Sequence, residues 1–281
     1  MAPEFIGERN GQSVEEAGLP AREAAREFLE EGRQRFLSAA GARGVSRMPN
    51  GAREVAAVVD GDVPGRSADE DFFDLLVGSD PRYTGVALLV DTTGWVDDQG
   101  RIDTAAQPYA AGNGYEVFVF GRRGPSAIDF WRAETPGRFY LYKTLPDDTS
   151  ERPSPPAAGT ALDPFYVIED VARSIAVLLA ISRAMGHSPE ETVLRLAFRW
   201  SGLRGREISD WGHQNRMISP GHIADQDEVV SEVSVSLQTS EEDVATFVRV
   251  AVAPLFAAFG WVLEDANVIP DLTARLLSGD F

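Results

Sequence analysis

Cysteine is absent from the chain, lysine occurs once, at Lys143, and histidine three times, at His187, His213 and His222. Without cysteine, disulfides, thiolate catalysis and cysteine-ligated zinc are excluded outright. No apolar run approaches the roughly 20 residues that span a bilayer, and the first residues lack the basic-then-apolar layout of a secretion signal. A cytoplasmic location is the resulting expectation. The glycine loops G-x-G-x-x-G and G-x-x-x-x-G-K-[ST] that cradle phosphates are missing, as is the G-x-S-x-G nucleophile elbow. No cofactor is expected on these grounds.

The 281 residues are 43% hydrophobic and 9% aromatic, enough for a substantial core. Forty-four acids against 26 bases leave a formal charge of −18, a field that repels polyanions unless cations are gathered on one patch. General nucleic-acid binding is therefore disfavoured. Every basic residue other than Lys143 is arginine, a usage that a GC-rich genome explains as well as guanidinium chemistry does. The opening Met-Ala-Pro-Glu-Phe is compatible with a cloning scar, which leaves open whether the native chain extends further upstream.

The elements read as follows. Leu19-Pro20 opens a helix carrying Ala24, Phe28, Leu29, Phe36 and Leu37 on one face, stopping near Gly41 and Gly44. Val55 to Val59 suits either a short strand or a helix, Pro64-Gly65 a loop, and Asp71 to Val77 a short helix. Strands are expected at Gly85–Val90, Tyr115–Phe120, Ala127–Trp131 and Arg138–Tyr142. The hairpin-length connectors 121–125 and 134–137 pair the last three as antiparallel neighbours. Asp163-Pro164 starts a helix through Val171, Ile175 and Leu178 to a stop at Gly186. Leu194 to Trp200 and Val229 to Leu237 alternate as strands. Ser240 and Asp243 form a capping box for a helix to Phe259 that contains Pro254, and a final helix begins near Pro270. Segregated blocks of strands and helices predict an α+β fold with antiparallel sheets. One globular unit is expected, open to division into 1–145 and 163–281 at the proline-rich crossing 146–162.

Two constellations carry chemistry. The stretch RLAFRWSGLRGREISDW, residues 195–211, holds Arg195, Arg199, Arg204 and Arg206. On a strand Arg195 and Arg199 project opposite Leu196 and Phe198, and the glycines that follow let Arg204 and Arg206 turn back beside them. Four guanidinium forks on one side of a sheet end suit a carboxylate or phosphate. The competing reading pairs these arginines with Glu190, Glu191, Glu207 and Asp210 in weak surface ion pairs. The second constellation, His213, His222, Asp225 and Asp227, offers imidazole and carboxylate ligands to a divalent metal, although its spacing matches no ligand motif. Asp97-Asp98 and Asp147-Asp148 sit beside turn residues and read as turn acids. Phe130, Trp131, Tyr140 and Tyr142 read as sheet core rather than as stacking platforms.

The succession GYEVFVF, AIDFWRAETPGRFYLYKTLPDD, a long helix, RLAFRWSGLRGREISDW and APLFAAFGW resembles the C-terminal region that follows the Schlafen/Alba-like nucleic-acid-binding domain in many bacterial proteins. The likeness spans roughly residues 20 to 277 and rests on short words rather than a catalytic motif. The Schlafen/Alba-like domain itself is absent, so its roles transfer to no residue here. The resemblance implies a regulatory or sensing module of a stress or phage-defence protein. Two functions thus stay open: a non-catalytic sensor or interaction module using the arginines to hold an acidic small molecule or protein partner, with oligomer formation compatible, and a metal-dependent hydrolase using the His213–Asp227 stretch.

Overall fold

The computed structural model describes residues 19–62, 65–97, 99–122, 126–150, 152, 154–213 and 218–279. Met1 to Phe5, Pro64, Asp98, and residues 123–125 of the first hairpin connector therefore lie outside the described residues. Seven strands form one sheet: β1 (Ala52–Asp60), β2 (Tyr109–Ala111), β3 (Gly114–Phe120), β4 (Ile128–Glu134), β5 (Arg138–Thr144), β7 (Val193–Ser201) and β9 (Glu228–Ser236). Their order is β2-β3-β4-β5-β1-β7-β9 and every pair is antiparallel. A separate two-residue pair, β6 (Ala161–Leu162) with β8 (Glu207–Ile208), is parallel. The fold is α+β, as the segregated blocks predict.

Strand β1 resolves the ambiguity of its alanine-rich sequence by pairing on both sides. Val55 faces Leu141 of β5 and Phe198 of β7 across the ladder. It thereby joins strands from before and after residues 146–162 into a single sheet, which that crossing does not interrupt. The crossing itself holds the short helix α3 (Pro146–Thr149) and β6.

Each sheet face has its own cover. Helix α1 (Leu19–Ala42) lays Phe28, Leu29 and Phe36 on Ala56, Phe118, Phe130, Tyr140 and Tyr142. Gly32 is obligatory at this crossing, because a Cβ there would lie 2.1 Å from the Tyr140 ring. The other face carries Val55, Ala57, Val117, Trp131, Phe139, Leu141, Leu196 and Phe198, covered by α2 (Glu70–Gly78), α4 (Pro164–Ala184), α5 (Val244–Ala258) and α6 (Val268–Ser278). Period-two alternation delivers both faces at once.

Helix α4 starts as its sequence dictates: the Asp163 carboxylate accepts from the Phe165 amide, Pro164 sits in the first turn, and Gly186 ends the element at φ +90°. The start of α5 differs from the expected box. The Ser240 hydroxyl bonds to the Asp243 carboxylate, and a 3₁₀ turn at Glu241–Asp243 leads into the helix at Val244. The last helix begins two residues earlier than expected, at Val268.

Gly85–Val90 is not a strand. Leu88, Leu89 and Val90 are buried, yet their backbone is satisfied by side chains instead of a ladder. The Leu88 amide donates to Asp80, the Leu88 carbonyl accepts from Lys143, and the Val90 carbonyl accepts from the Trp131 indole. An apolar run alone does not distinguish a strand from a buried loop stitched down in this way.

Candidate functional site

The four arginines of the 195–211 stretch do not converge. Arg195 and Arg199 do project from the face opposite Leu196 and Phe198, which is the α1 face. Arg195 is bound to Asp60 at 2.6 Å. Arg199 is buried among Glu54, Glu30 and Glu228, and Glu54 also accepts from the Tyr140 hydroxyl at 2.6 Å. Burial pushes the Glu54 carboxyl up, against the pull of Tyr140, Arg199 and Arg33. Arg206 is fully enclosed: both Nη atoms grip Asp148, at 2.8 and 2.6 Å, Nη1 also reaches the Ala161 carbonyl, and Nε donates to the Gly202 carbonyl. Gly51 makes room for it, since a Cβ there would stand 2.3 Å from the guanidinium. Arg204 alone is exposed.

None of these partners is among the acids near in sequence, Glu190, Glu191, Glu207 and Asp210. The acids that do pair with them are long-range, with 58 residues separating Arg206 from Asp148 and 145 separating Arg199 from Glu54. Gly202 serves packing rather than anion approach: at φ +69° a Cβ would collide with the Asn50 carbonyl.

The reading of Asp147 and Asp148 as turn acids is overturned, for both are buried. Asp148 holds Arg206, and Asp147 accepts from the Asp163 amide and the Trp211 indole, with burial raising its carboxyl to about 6. Asp97 is a turn acid, accepting from Gln99 and Arg101. The proposed metal set is not gathered either. His213 sits between Asp163 at 3.1 Å and Glu169 at 3.4 Å, whereas Asp225 and Asp227 are exposed. Among the described residues no group of three or more histidine, aspartate and glutamate side chains is arranged to hold a metal ion. Burial opposes charging of the His213 ring, but its two carboxylate partners outweigh it and hold the pKa at about 9.

A different cation cluster is assembled by the fold. On the α4 face the sheet register sets Arg53, Lys143 and Asp129 side by side on β1, β5 and β4, with Trp200 beyond Arg53 and Val119 beyond Asp129. All other rows of that face are nearly apolar. Lys143 and Arg53 are direct cross-strand neighbours, an arrangement that like charges disfavour. Lys143 Nζ lies 3.4 Å from Asp129 and donates to the Leu88 carbonyl at 3.2 Å. Arg53 is held from α4 by Asp170, at 3.3 Å, and by the Ser174 hydroxyl. Arg173, one turn along α4, shares Asp170 at 3.0 Å.

Lys143 and Asp129 of this row line a cavity of about 290 Å³ between the sheet and α4, at the lower end of volumes that take small molecules. Lys143, Asp129, Asp170, Arg173 and Arg122 contribute charged groups to its wall, and Val90, Trp95, Val119, Ile128 and Leu276 are among its apolar lining. Tyr166 and Glu169 stand at its rim, where Tyr166 makes edge contacts with Trp211 and His213. Asp129 Oδ1, Arg173 Nε and Arg53 Nη2 are enclosed without a hydrogen-bond partner among the described residues. Burial, abetted by Arg173 and Arg53, brings the Lys143 ammonium down to about 8 despite Asp129. Asp170 shows the opposite balance: burial would raise it, but Arg53, Arg173 and Lys143 together hold it low.

Sequence reasoning passed over this row, although one signal for it existed. Continuing the alternation of Phe139 and Leu141 by one step places the sole lysine on an apolar face. Comparison of the chain with protein-family models, with curated proteins and with solved structures finds no match.

Proposed function

We propose that the chain is a non-catalytic sensor module whose cavity at Lys143 holds a small organic acid, the carboxylate against Lys143 and Arg173 and an apolar tail toward Val90, Trp95 and Ile128. One observation carries the reading: two cations, Arg53 and Lys143, set side by side across neighbouring strands next to a cavity, with enclosed polar atoms left unmatched. Buried cations and enclosed unpaired donors are costly. Arg53, Lys143 and Arg173 share Asp129 and Asp170 beside the cavity, with Glu169 at its rim, so a carboxylate would meet unmatched donors there rather than a surplus of positive charge. Perturbed titratable groups gathered in a cleft are candidates for a functional site.

The acidic ligand first expected at the arginine window is thus assigned to a different set of residues. The resemblance to the region following Schlafen/Alba-like domains supports a regulatory setting in a bacterial cytoplasm, where ligand occupancy in this module is relayed to a partner. With −18 overall charge, that partner is a protein and not a nucleic acid. No helix among the described residues is long and apolar enough to cross a membrane.

Calorimetric titration with hexanoate and, in parallel, with hexanamide tests the reading. Hexanoate is expected to bind with one site per chain and the isosteric amide at least roughly tenfold more weakly, the scale of a hydrogen bond to a charged group. Lys143→Met abolishes the difference. Absence of hexanoate binding, or equal affinity for the amide, overturns the assignment.

A further inference from the structure

The cavity at Lys143 contains more than an anion needs. A carboxylate would be satisfied by guanidinium groups alone, and of the 26 lysine and arginine residues every one but Lys143 is arginine. A primary amine stands here instead, walled in with only 12% of its side chain exposed. Beside it, at 3.4 Å, is a carboxylate whose second oxygen, Oδ1, has no hydrogen-bond partner among the described residues. The Arg173 guanidinium lines the same cavity, its Nη atoms bonded to Thr84 and Asp170 and its Nε unmatched. An amine, a proton carrier within reach of it, and a separate charged donor for a carboxylate are the three parts that hold a 2-oxo acid covalently.

We propose that Lys143 captures a small 2-oxo acid as an imine, with Asp129 shuttling the protons and Arg173 holding the ligand's carboxylate. The inference rests on the organic-acid reading above and narrows it to one ligand class. Asp129 takes a proton from the Lys143 ammonium, and the freed Nζ lone pair attacks the ketone carbon, forming the C–N bond as the carbonyl oxygen accepts that proton back. The carbinolamine nitrogen gives up one proton through Asp129 to its hydroxyl, which leaves as water, and the C=N bond forms. Ammonium and ketone thus yield the protonated imine and one water, with no oxidant, reductant or net proton change. The charged product keeps the ion pair with Asp129. Besides Asp129, the charged groups that face Nζ are Arg53 from β1 and Asp170 and Arg173 from α4; burial first, and then the cations among them, favour a free amine.

The sole lysine makes the test clean. The full chain is incubated with pyruvate, reduced with sodium cyanoborohydride, and measured by intact mass and peptide mapping. One adduct per chain is expected, located at Lys143, where it removes the tryptic cut after that residue. Excess hexanoate suppresses it, and acetaldehyde, which lacks the carboxylate, is trapped about tenfold less. Lys143→Arg loses the adduct while retaining the cation, and Arg173→Gln reduces it toward the acetaldehyde level. An adduct confined to the N-terminal amine, or a Lys143 adduct formed equally with acetaldehyde and untouched by hexanoate, overturns the proposal. Absence of the adduct with hexanoate binding intact removes the imine and leaves the acid site; loss of both removes the acid site as well.

Discussion

The arginine window at 195–211 and the row Arg53–Lys143–Asp129 both bury charge on the same sheet, one mostly toward α1 and the other toward α4. They differ less in how completely the charge is matched, since Arg199 Nε and Glu54 Oε1 are also enclosed without a hydrogen bond, than in what lies beside it. Arg206 has four hydrogen bonds and no accessible surface, and Arg199 is met by three glutamates. The Lys143 row has fewer partners than polar atoms and abuts an open volume. Density of basic residues in sequence is therefore a poor guide to a ligand site, since a guanidinium within reach of its own carboxylate has little left to offer. What distinguishes a site is the unmatched remainder next to space.

The comparison breaks most visibly at Arg206. Arg206→Met leaves Asp148 buried without its counter-ion and is expected to destabilise the protein by about 3–5 kcal/mol, read from the midpoint of urea unfolding. Replacing both, as Arg206→Met with Asp148→Asn, recovers part of that loss. A single variant as stable as the parent would show that the pair is not the closed unit described. Next in size, Arg173→Gln weakens hexanoate binding by roughly 1.5–3 kcal/mol, whereas Arg195→Ala leaves it unchanged because Arg195 is committed to Asp60 on the opposite face. Equal effects of the two substitutions would erase the distinction between the regions.

Most of the fold was legible where local chemistry and period agreed. Asp163-Pro164 and Gly186 bracket α4, and strict alternation marks β7 and β9. Legibility failed where a segment's partner is remote. Gly85–Val90 looks like a strand because its apolar side chains are buried, but Asp80, Trp131 and Lys143 supply its hydrogen bonds. Asp147 and Asp148 look like turn acids because nothing nearby in sequence announces Trp211 or Arg206 as partners. The candidate site lies between: each strand's alternation is readable, yet Arg53, Lys143 and Asp129 become one row only through the register of three strands.

Two titrations with opposite signs sharpen the contrast between matched and unmatched charge, each on the order of 1 kcal/mol once solvent screening is allowed for. His213, held at about 9 against an ordinary 6.5, binds its proton more tightly folded than unfolded. Its contribution is complete below pH 6.5 and is lost as pH rises through 9, so His213→Gln removes a downward slope in stability over that window. Lys143, brought down to about 8 from 10.5, binds its proton less tightly when folded. The unfolded chain then carries the extra proton between pH 8 and 10.5, stability climbs there, and Lys143→Met removes the climb. Thermal unfolding of the two variants across pH 6 to 11 separates the slopes; a parent profile unchanged by either substitution contradicts both assignments.

The smallest expected effect belongs to Arg204, the one member of the window that the fold leaves exposed. It occupies the turn between β7 and β8, flanked by Gly202 at φ +69° and Gly205 at φ +82°, with no hydrogen bond or ion pair among the described residues. Arg204→Ala is expected to change stability by less than about 0.5 kcal/mol, as exposed substitutions do. Its bearing on ligands is larger than its bearing on stability. With Arg195, Arg199 and Arg206 committed to Asp60, to Glu54 and its neighbours, and to Asp148, any anion bound at the window has only Arg204 to hold it. A lone exposed guanidinium contributes about 0–1 kcal/mol and is screened over about 8 Å at physiological ionic strength. Calorimetric titration with inorganic phosphate should accordingly give no binding heat for the parent or for Arg204→Ala. Saturable, salt-sensitive phosphate binding that disappears in the variant would return the window to the list of ligand sites and require that Arg206 or Arg199 release its carboxylate to take part.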